Sequence, residues 1–358
     1  MWYETAVSRI LNISYPIIQA PMAGGPTRPG LVAAISNSGG LGSFGAGYTS
    51  PDKLRLEIHA TRKLTDKRFA VNVFVPETVI RDQDKIKKII KAMKPYRDRF
   101  GLDEQAASED INLYFHAQIK VIIEEKVPVV SFTFGIPDGE ILDMLRSENI
   151  KTIGTATTVD EAIELEKKGV ELIVAQGSEA GGHRGSFQKD PEHSLVGTMA
   201  LIPQVVDNVK TPVVAAGGIM DGRGIVASFA LGASGVQLGT AFLTCIESGA
   251  SDLHKEAIIK SNESDTRLTR MFSGKLARGI NNRFIEEMEQ YKDIVPDYPI
   301  QNAFTRDIRK ASAESKDTDY MSLWAGQGVR LSRSLPAAEL MSILVDQTDE
   351  MINKIKDW

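Results

Sequence analysis

Glu171-Leu172-Ile173-Val174-Ala175-Gln176-Gly177-Ser178-Glu179-Ala180-Gly181-Gly182-His183-Arg184-Gly185 joins two kinds of sequence. Its first five residues form an apolar run with the length of a buried strand. The ten that follow hold four glycines together with Glu179, His183 and Arg184. Glycine removes side chains, so backbone there can approach something closely. A histidine held at the end of a buried strand can serve as acid or base near neutral pH. The plainer alternative is a long surface turn with a solvated histidine. What the rest of the chain brings to the same place decides between them.

Outward from this stretch, short apolar runs ending in glycine or small polar residues alternate with amphipathic helical stretches. That alternation predicts βα units and a parallel sheet. The runs are Pro16–Met22, Gly40–Phe44, Phe69–Val75, Val127–Phe132, Lys151–Thr155, Glu171–Ala175, Pro212–Ala216 and Gly235–Leu238. Helices are expected between them, among them Pro29–Ser38, Pro51–Leu64, Asn112–Lys126 and Pro137–Glu148. Thr158-Val159-Asp160-Glu161 has the spacing of a capping box that opens another. Eight such units in about 250 residues is the arithmetic of a closed (β/α)8 TIM barrel, an α/β fold. The expected organisation is a barrel over 1–246, interrupted by a polar helical insertion at about 76–113. The lysine run Lys85–Lys91 within the insertion reads as a solvated helix face. Residues 247–358 are expected to be a mostly helical segment that packs beside the barrel and partly covers its mouth.

The 358 residues are 42% hydrophobic and 25% charged, values of a globular protein. A net charge of −5 offers no basic footprint for nucleic acid. The single cysteine, Cys245, excludes a disulfide within the chain and a thiolate metal cluster, which fits a reducing cytoplasm. No signal peptide is expected from the start Met1-Trp2-Tyr3-Glu4. Ile225–Ile246 carries no charge and is long enough to cross a bilayer. Its glycines and Gln237 read instead as a helix followed by a buried strand, so no membrane segment is expected.

Active sites of such barrels lie at the C-terminal ends of the strands, with phosphate commonly held after strands seven and eight. Those loops here are Ala216-Gly217-Gly218-Ile219 and Gln237-Leu238-Gly239-Thr240. Their glycines free backbone N–H groups for phosphate oxygens, and Thr240 adds a hydroxyl. Two tight turns needing glycine for their own geometry are the bland alternative. Asn72, Gln176 and Gln237 stand at strand ends where apolar residues are expected. Amides donate and accept, which suits a flat heterocycle with alternating N–H and C=O groups. One alone would be a satisfied core amide; three point to a ligand. Phosphate with a heterocycle suggests a mononucleotide, and FMN fits best. His183 is the candidate catalytic residue. His59, His116 and His254 fall in helical stretches and His193 in a polar loop, all read as surface or packing residues. No spacing supports a metal site.

Gln176–Gly185 resembles the signature of the nitronate monooxygenases, formerly 2-nitropropane dioxygenases. The likeness extends to Gln19–Gly25, Asn72-Val73-Phe74, Ala215–Ile219, Gln237–Thr240, Ser273–Gly279 and Leu323–Gly328, in matching order. The whole set is similar to the class I bacterial members. The resemblance implies a TIM barrel that binds FMN non-covalently. Met22, Asn72, Gln176 and Gly181 would line the isoalloxazine. Gly218, Gln237, Leu238, Gly239 and Thr240 would hold the phosphate end, and His183 would face the substrate. It implies oxidation of alkyl nitronates by O2 to a carbonyl compound and nitrite, with propionate 3-nitronate as the natural substrate and detoxification as the role. A nitronate is already deprotonated, so His183 would orient it or balance its charge, and would act as a base only on neutral nitroalkanes. Many class I members carry a second histidine where Thr133 stands. Trp324, Lys275 and Arg278 are candidates to close over the flavin. Two other readings remain: an FMN-dependent enoyl-acyl-carrier-protein reductase using NAD(P)H, and a flavin- or phosphate-binding barrel without turnover. Oligomeric state is left open.

Overall fold

The computed structural model describes residues 1–79, 81–103, 114–188 and 191–356. Its described strands, in chain order, are β1 (Ile17–Gln19), β2 (Gly42–Gly45), β3 (Phe69–Phe74), β4 (Val129–Thr133), β5 (Lys151–Ala156), β6 (Leu172–Gln176), β7 (Gly182–His183), β8 (Val213–Ala216), β9 (Gly235–Leu238), β10 (Thr266–Thr269) and β11 (Ala277–Ile280). Eight of them form one parallel sheet in the order β1-β9-β8-β6-β5-β4-β3-β2. A parallel bridge between Ile18 and Leu41 joins its two edges. There the Gln19 N–H donates to the Leu41 carbonyl at 2.9 Å and the Leu41 N–H to the Ile17 carbonyl at 3.0 Å. The sheet thus closes into the expected barrel, with each of the eight anticipated runs contributing a strand.

Side chains alternate across a strand with a period of two. In β6, Ile173 and Ala175 face out into a core shared with Ala162, Leu165, Leu201 and Ile202 of the flanking helices. Leu172 and Val174 face in, and Val7 and Leu11 of the helix Ala6–Leu11 plug the barrel from below. The same period carries Gln176 inward at the top of β6 and Asn72 inward above Ala70 in β3.

The capping box forms only by half. Thr158 Oγ1 accepts from the Glu161 N–H at 3.2 Å, but the Glu161 carboxylate turns elsewhere. It is fully buried and accepts from the N–H of Thr157 at 2.6 Å, Phe187 at 2.7 Å and Gln188 at 3.1 Å, and from Thr157 Oγ1 at 2.7 Å. Those four donors tie the chain after His183 to the end of β5.

The insertion does more than present lysines to water. Its helix Gln83–Arg99 buries Ile89, Ala92, Met93 and Tyr96 against Met271, Phe272, Phe284 and Tyr320 of the C-terminal segment. Residues 104–113 of the insertion, including the start of the helix expected from Asn112, lie outside the described residues, as does Trp358. Residues beyond 246 are helical at Asp252–Lys260, Arg283–Met288, Ile300–Glu314 and Ala337–Lys356. They also hold β10 and β11, which pair antiparallel with each other and with β7. The helix Ala337–Lys356 packs Leu340, Met341 and Leu344 against Leu31, Ile35 and Ile225. It therefore builds part of the barrel's outer wall between the helices that follow β1 and β8.

Candidate active site

A cleft opens at the C-terminal ends of the barrel strands. The empty space in it, counting open solvent at its mouth, is about 1360 Å³. Met22, Asn72, Gln176, Gly181, Gly218, Gln237, Gly239 and Thr240 all line it, together with His183. Leu238 does not. Period two turns its side chain outward into the core, and its carbonyl accepts from the Ala20 N–H at 2.8 Å.

At one end lie Gly218, with φ of +71°, and Gly239 and Thr240. Among the described residues, their N–H groups make no backbone hydrogen bond. Thr240 Oγ1 accepts from the Gly326 N–H at 2.9 Å, which leaves its own hydrogen for a ligand. Unspent donors in a cleft are the chemistry an oxyanion requires.

The amides stand deeper. Asn72 Nδ2 lies 3.0 Å from Ser131 Oγ, 3.1 Å from Thr133 Oγ1 and 3.2 Å from the Ser131 carbonyl. Thr133, where the resemblance implied a histidine, thus also lines the cleft while bracing Asn72.

His183 sits on β7, paired with Ala277 of β11, not on a free loop. Its Nε2 is 2.9 Å from Ser273 Oγ. Its ring is walled by Trp324 at 5.4 Å, Phe134 at 5.9 Å and Tyr298 at 6.1 Å between centroids. Burial, reinforced by the positive charges of Lys275 and Arg309, pulls its pKa down to about 3. The imidazole is therefore neutral at physiological pH. Lys275 is itself held: Nζ contacts both Glu77 carboxylate oxygens, at 2.7 and 2.6 Å, and lies 4.3 Å from the centre of the Phe134 ring.

Two residues not singled out as site candidates also line the cleft. His254, assigned to surface or packing, lines the cleft and meets the Trp324 carbonyl at 3.0 Å. Since that oxygen only accepts, Nε2 carries the proton; burial lowers the pKa to about 4. Tyr48 lines the opposite side, its phenol pushed up by burial and so a lasting donor. Neither stretch holds a local pattern that marks it. Glu179 proves to be a brace: its carboxylate accepts from the N–H of Thr198, the first residue of the helix Thr198–Asn208, at 2.9 Å and from Thr198 Oγ1 at 2.9 Å.

The strand-like strap Trp324–Gly328 crosses the mouth. The Gln327 N–H donates to the Glu179 carbonyl at 2.9 Å, and Trp324 lines the cleft as expected. Arg278 does not line it: Nε donates to the Ser178 carbonyl at 3.0 Å from beneath the glycine loop.

Comparison with known proteins agrees with this geometry. The family model described as nitronate monooxygenase matches residues 4–347. A probable nitronate monooxygenase from Staphylococcus aureus (strain Newman) is 53% identical over 354 residues, covering 98% of this chain and 99% of that protein. The structure is similar to that of a nitroalkane oxidase from Streptomyces ansochromogenes, with a TM-score of 0.91 and 39% identity over 98% of this chain and 100% of the other. FabK from Thermotoga maritima aligns with a TM-score of 0.78 and 31% identity over 99% of each chain. With a family match spanning nearly its whole length, the chain belongs to the nitronate monooxygenase family of flavin-dependent oxidoreductases.

Proposed function

We propose that the protein binds FMN non-covalently and oxidises alkyl nitronates with O2 to a carbonyl compound and nitrite. Propionate 3-nitronate is the substrate we assign, and removal of this toxic anion the role. The observation that carries the reading is the convergence of unspent backbone donors, three amides and a neutral, aromatic-walled histidine in one cleft. The residues fit FMN. Gly218, Gly239 and Thr240 would hold its phosphate, and Met22, Asn72, Gln176, Gly181 and Gln237 its ring system. Leu238 would serve only through the backbone that supports β1.

Bound flavin supplies the electron and oxygen chemistry; the chain supplies position and environment. His183, neutral and hydrogen-bonded to Ser273, offers a fixed polar contact to the nitronate group. Because a nitronate has already lost its α-proton, no strong base is needed. Trp324, Phe134 and Tyr298 exclude water from the same wall. Lys275, paired with Glu77, and Arg309 set a positive potential around the imidazole that favours an anionic substrate.

The test is purification followed by oxygen uptake and nitrite release with propionate 3-nitronate in air. A yellow protein that consumes oxygen without NADH meets the expectation. A colourless protein that takes up no FMN overturns the cofactor. NAD(P)H oxidation driven by a crotonyl thioester, without nitronate turnover, would make it an enoyl reductase instead.

A further inference from the structure

The amide of Gln176 can stand in only one orientation. Its Oε1 accepts from the Gly185 N–H at 2.9 Å and from Arg184 Nη1 at 3.2 Å, and its Nε2 donates to the His183 carbonyl at 3.1 Å. Turning the amide over would press an NH2 group against two donors and an oxygen against a carbonyl. Both acceptor sites of Oε1 are therefore spent, and one of the two Nε2 hydrogens as well. Gln176 lies on the wall of the cleft, so what it has left for a ligand is a single N–H.

Arg184 enforces this. Its side chain is fully buried, beyond reach of the cleft. Besides Gln176, Nη1 donates to the Gly177 carbonyl at 2.6 Å and Nη2 to the Ser194 carbonyl at 3.0 Å. Nε has no partner among the described residues. Burial lowers its pKa only to about 10, so it is charged at neutral pH. A buried guanidinium with an orphaned N–H is costly to the fold. It lies where it fixes the polarity of one amide.

We propose that Arg184 is a positioning residue that locks Gln176 as a hydrogen-bond donor toward the ring of the bound flavin, and so favours the reduced ring. The inference rests on the flavin reading above. Along the polar edge of an isoalloxazine, every heteroatom but one ring N–H is an acceptor. A donor therefore meets one of those acceptors. When the ring takes up electrons, N5 also takes up a proton and becomes a donor, while negative charge grows on the N1 and C2-carbonyl acceptors. Hydrogen bonds to charged acceptors are roughly twice as strong as those to neutral ones. Directed at that N1–C2 carbonyl side, as this role requires, the Gln176 N–H binds the reduced ring more tightly than the oxidised one.

The experiment is redox titration of the purified holoprotein and its variants with FMN bound. Replacing Arg184→Met removes the lock and frees the amide to rotate. A tenfold loss in preference for reduced over oxidised flavin is expected, a fall in midpoint potential of about 30 mV for a two-electron couple. In a Gln176→Leu background, adding Arg184→Met is expected to cause no further fall. An unchanged potential in Arg184→Met overturns the proposal. So does a full additional fall in the Gln176→Leu background, because Arg184 would then act without the amide. If Arg184→Met does not fold, Gln176→Leu alone decides: it must lower the potential by the same amount, and no change means that no donor acts there. A wild-type protein that binds no FMN fails before any variant is made, and overturns the function proposed above rather than this role of Arg184.

Discussion

Ser273 stands between His183 and the main chain: Oγ is 2.9 Å from His183 Nε2 and 3.0 Å from the Lys275 carbonyl. A serine hydroxyl has one hydrogen and two lone pairs, so Oγ partners Nε2 in either neutral tautomer. The orientation of the candidate catalytic ring is thus held by a residue that sequence likeness alone gave no role.

Replacing Ser273→Ala removes the hydrogen-bond partner of Nε2 and lets the ring turn. Turnover of a nitronate should fall about tenfold, the worth of one well-placed hydrogen bond. FMN content should hold. Steady-state oxygen uptake, normalised to bound flavin, is the measurement; an unchanged kcat would show that Ser273 does not position the imidazole.

The depressed pKa of His183 predicts a pH profile. With a value of about 3 against 6.5 in the free side chain, the imidazole stays neutral from pH 5 to 8. Turnover of a substrate kept in its anionic form should show no limb near pH 6.5 over that span. Stability follows the same shift. As pH falls below 6.5 the unfolded chain takes up protons that buried His183 and His254 refuse, the latter until about pH 4. Stability is thus lost as pH falls. His254→Gln should flatten the decline in Tm between pH 6 and pH 4.5, and an unaltered slope would count against a buried neutral His254.

How much of this was readable beforehand divides along the range of the interactions. Leu172-Ile173-Val174-Ala175 announces a buried strand because four adjacent apolar residues suffice to do so. Asn72, Gln176 and Gln237 could be picked out because an amide interrupts such a run, and the barrel's eightfold repeat told where run ends meet. The small sheet β7-β10-β11 was not visible. Gly182-His183 is too short to show alternation, and its partner Ala277-Arg278 lies over ninety residues away. The partner of His254 stayed hidden for the same reason: a helical period says nothing about a strap from residue 324 whose carbonyl the imidazole meets. Glu161 has the spacing of a cap, yet four donors from other segments outcompete the local bond.

The Lys275–Glu77 pair tests how the insertion is fastened to the site. Lys275 is nearly buried while Glu77 is about one-third exposed, at 34%. Glu77→Gln leaves an ammonium inside the protein without its counter-ion, and partial solvation of the site softens the cost to about 2 kcal/mol. Adding Lys275→Met should recover most of that loss, since the unpaired charge is gone. Urea denaturation of the two variants is the check. A double variant no more stable than Glu77→Gln would mean the pair is not the source of the loss.

Gly181 offers the sharpest test of why the signature stretch is rich in glycine. The expectation was that its missing side chain lets backbone approach a ligand. A Cβ at Gly181 would lie 2.4 Å from the Gly326 N and 2.5 Å from the Ala325 carbonyl carbon, so what comes close is the strap over the mouth. Neither obstacle is a flexible side chain. The strap is tied down on both sides, by the Gly326 N–H on Thr240 Oγ1 and the Gln327 N–H on the Glu179 carbonyl. Gly181→Ala must therefore lift the strap and break those bonds, at a cost of about 1–3 kcal/mol from overpacking. The displaced strap also carries Trp324 away from His183 and takes the donor partner from Thr240 Oγ1. Loss should appear in thermal stability and in FMN affinity together. Gly182→Ala makes the contrast: its Cβ meets nothing within 4 Å, and only the φ of +74° is unfavourable. That variant should lose about 1 kcal/mol of stability for its left-handed backbone, with FMN affinity kept. Equal loss of FMN affinity in both would show that ligand contact with the glycine backbone, not the strap, keeps position 181 free of a side chain.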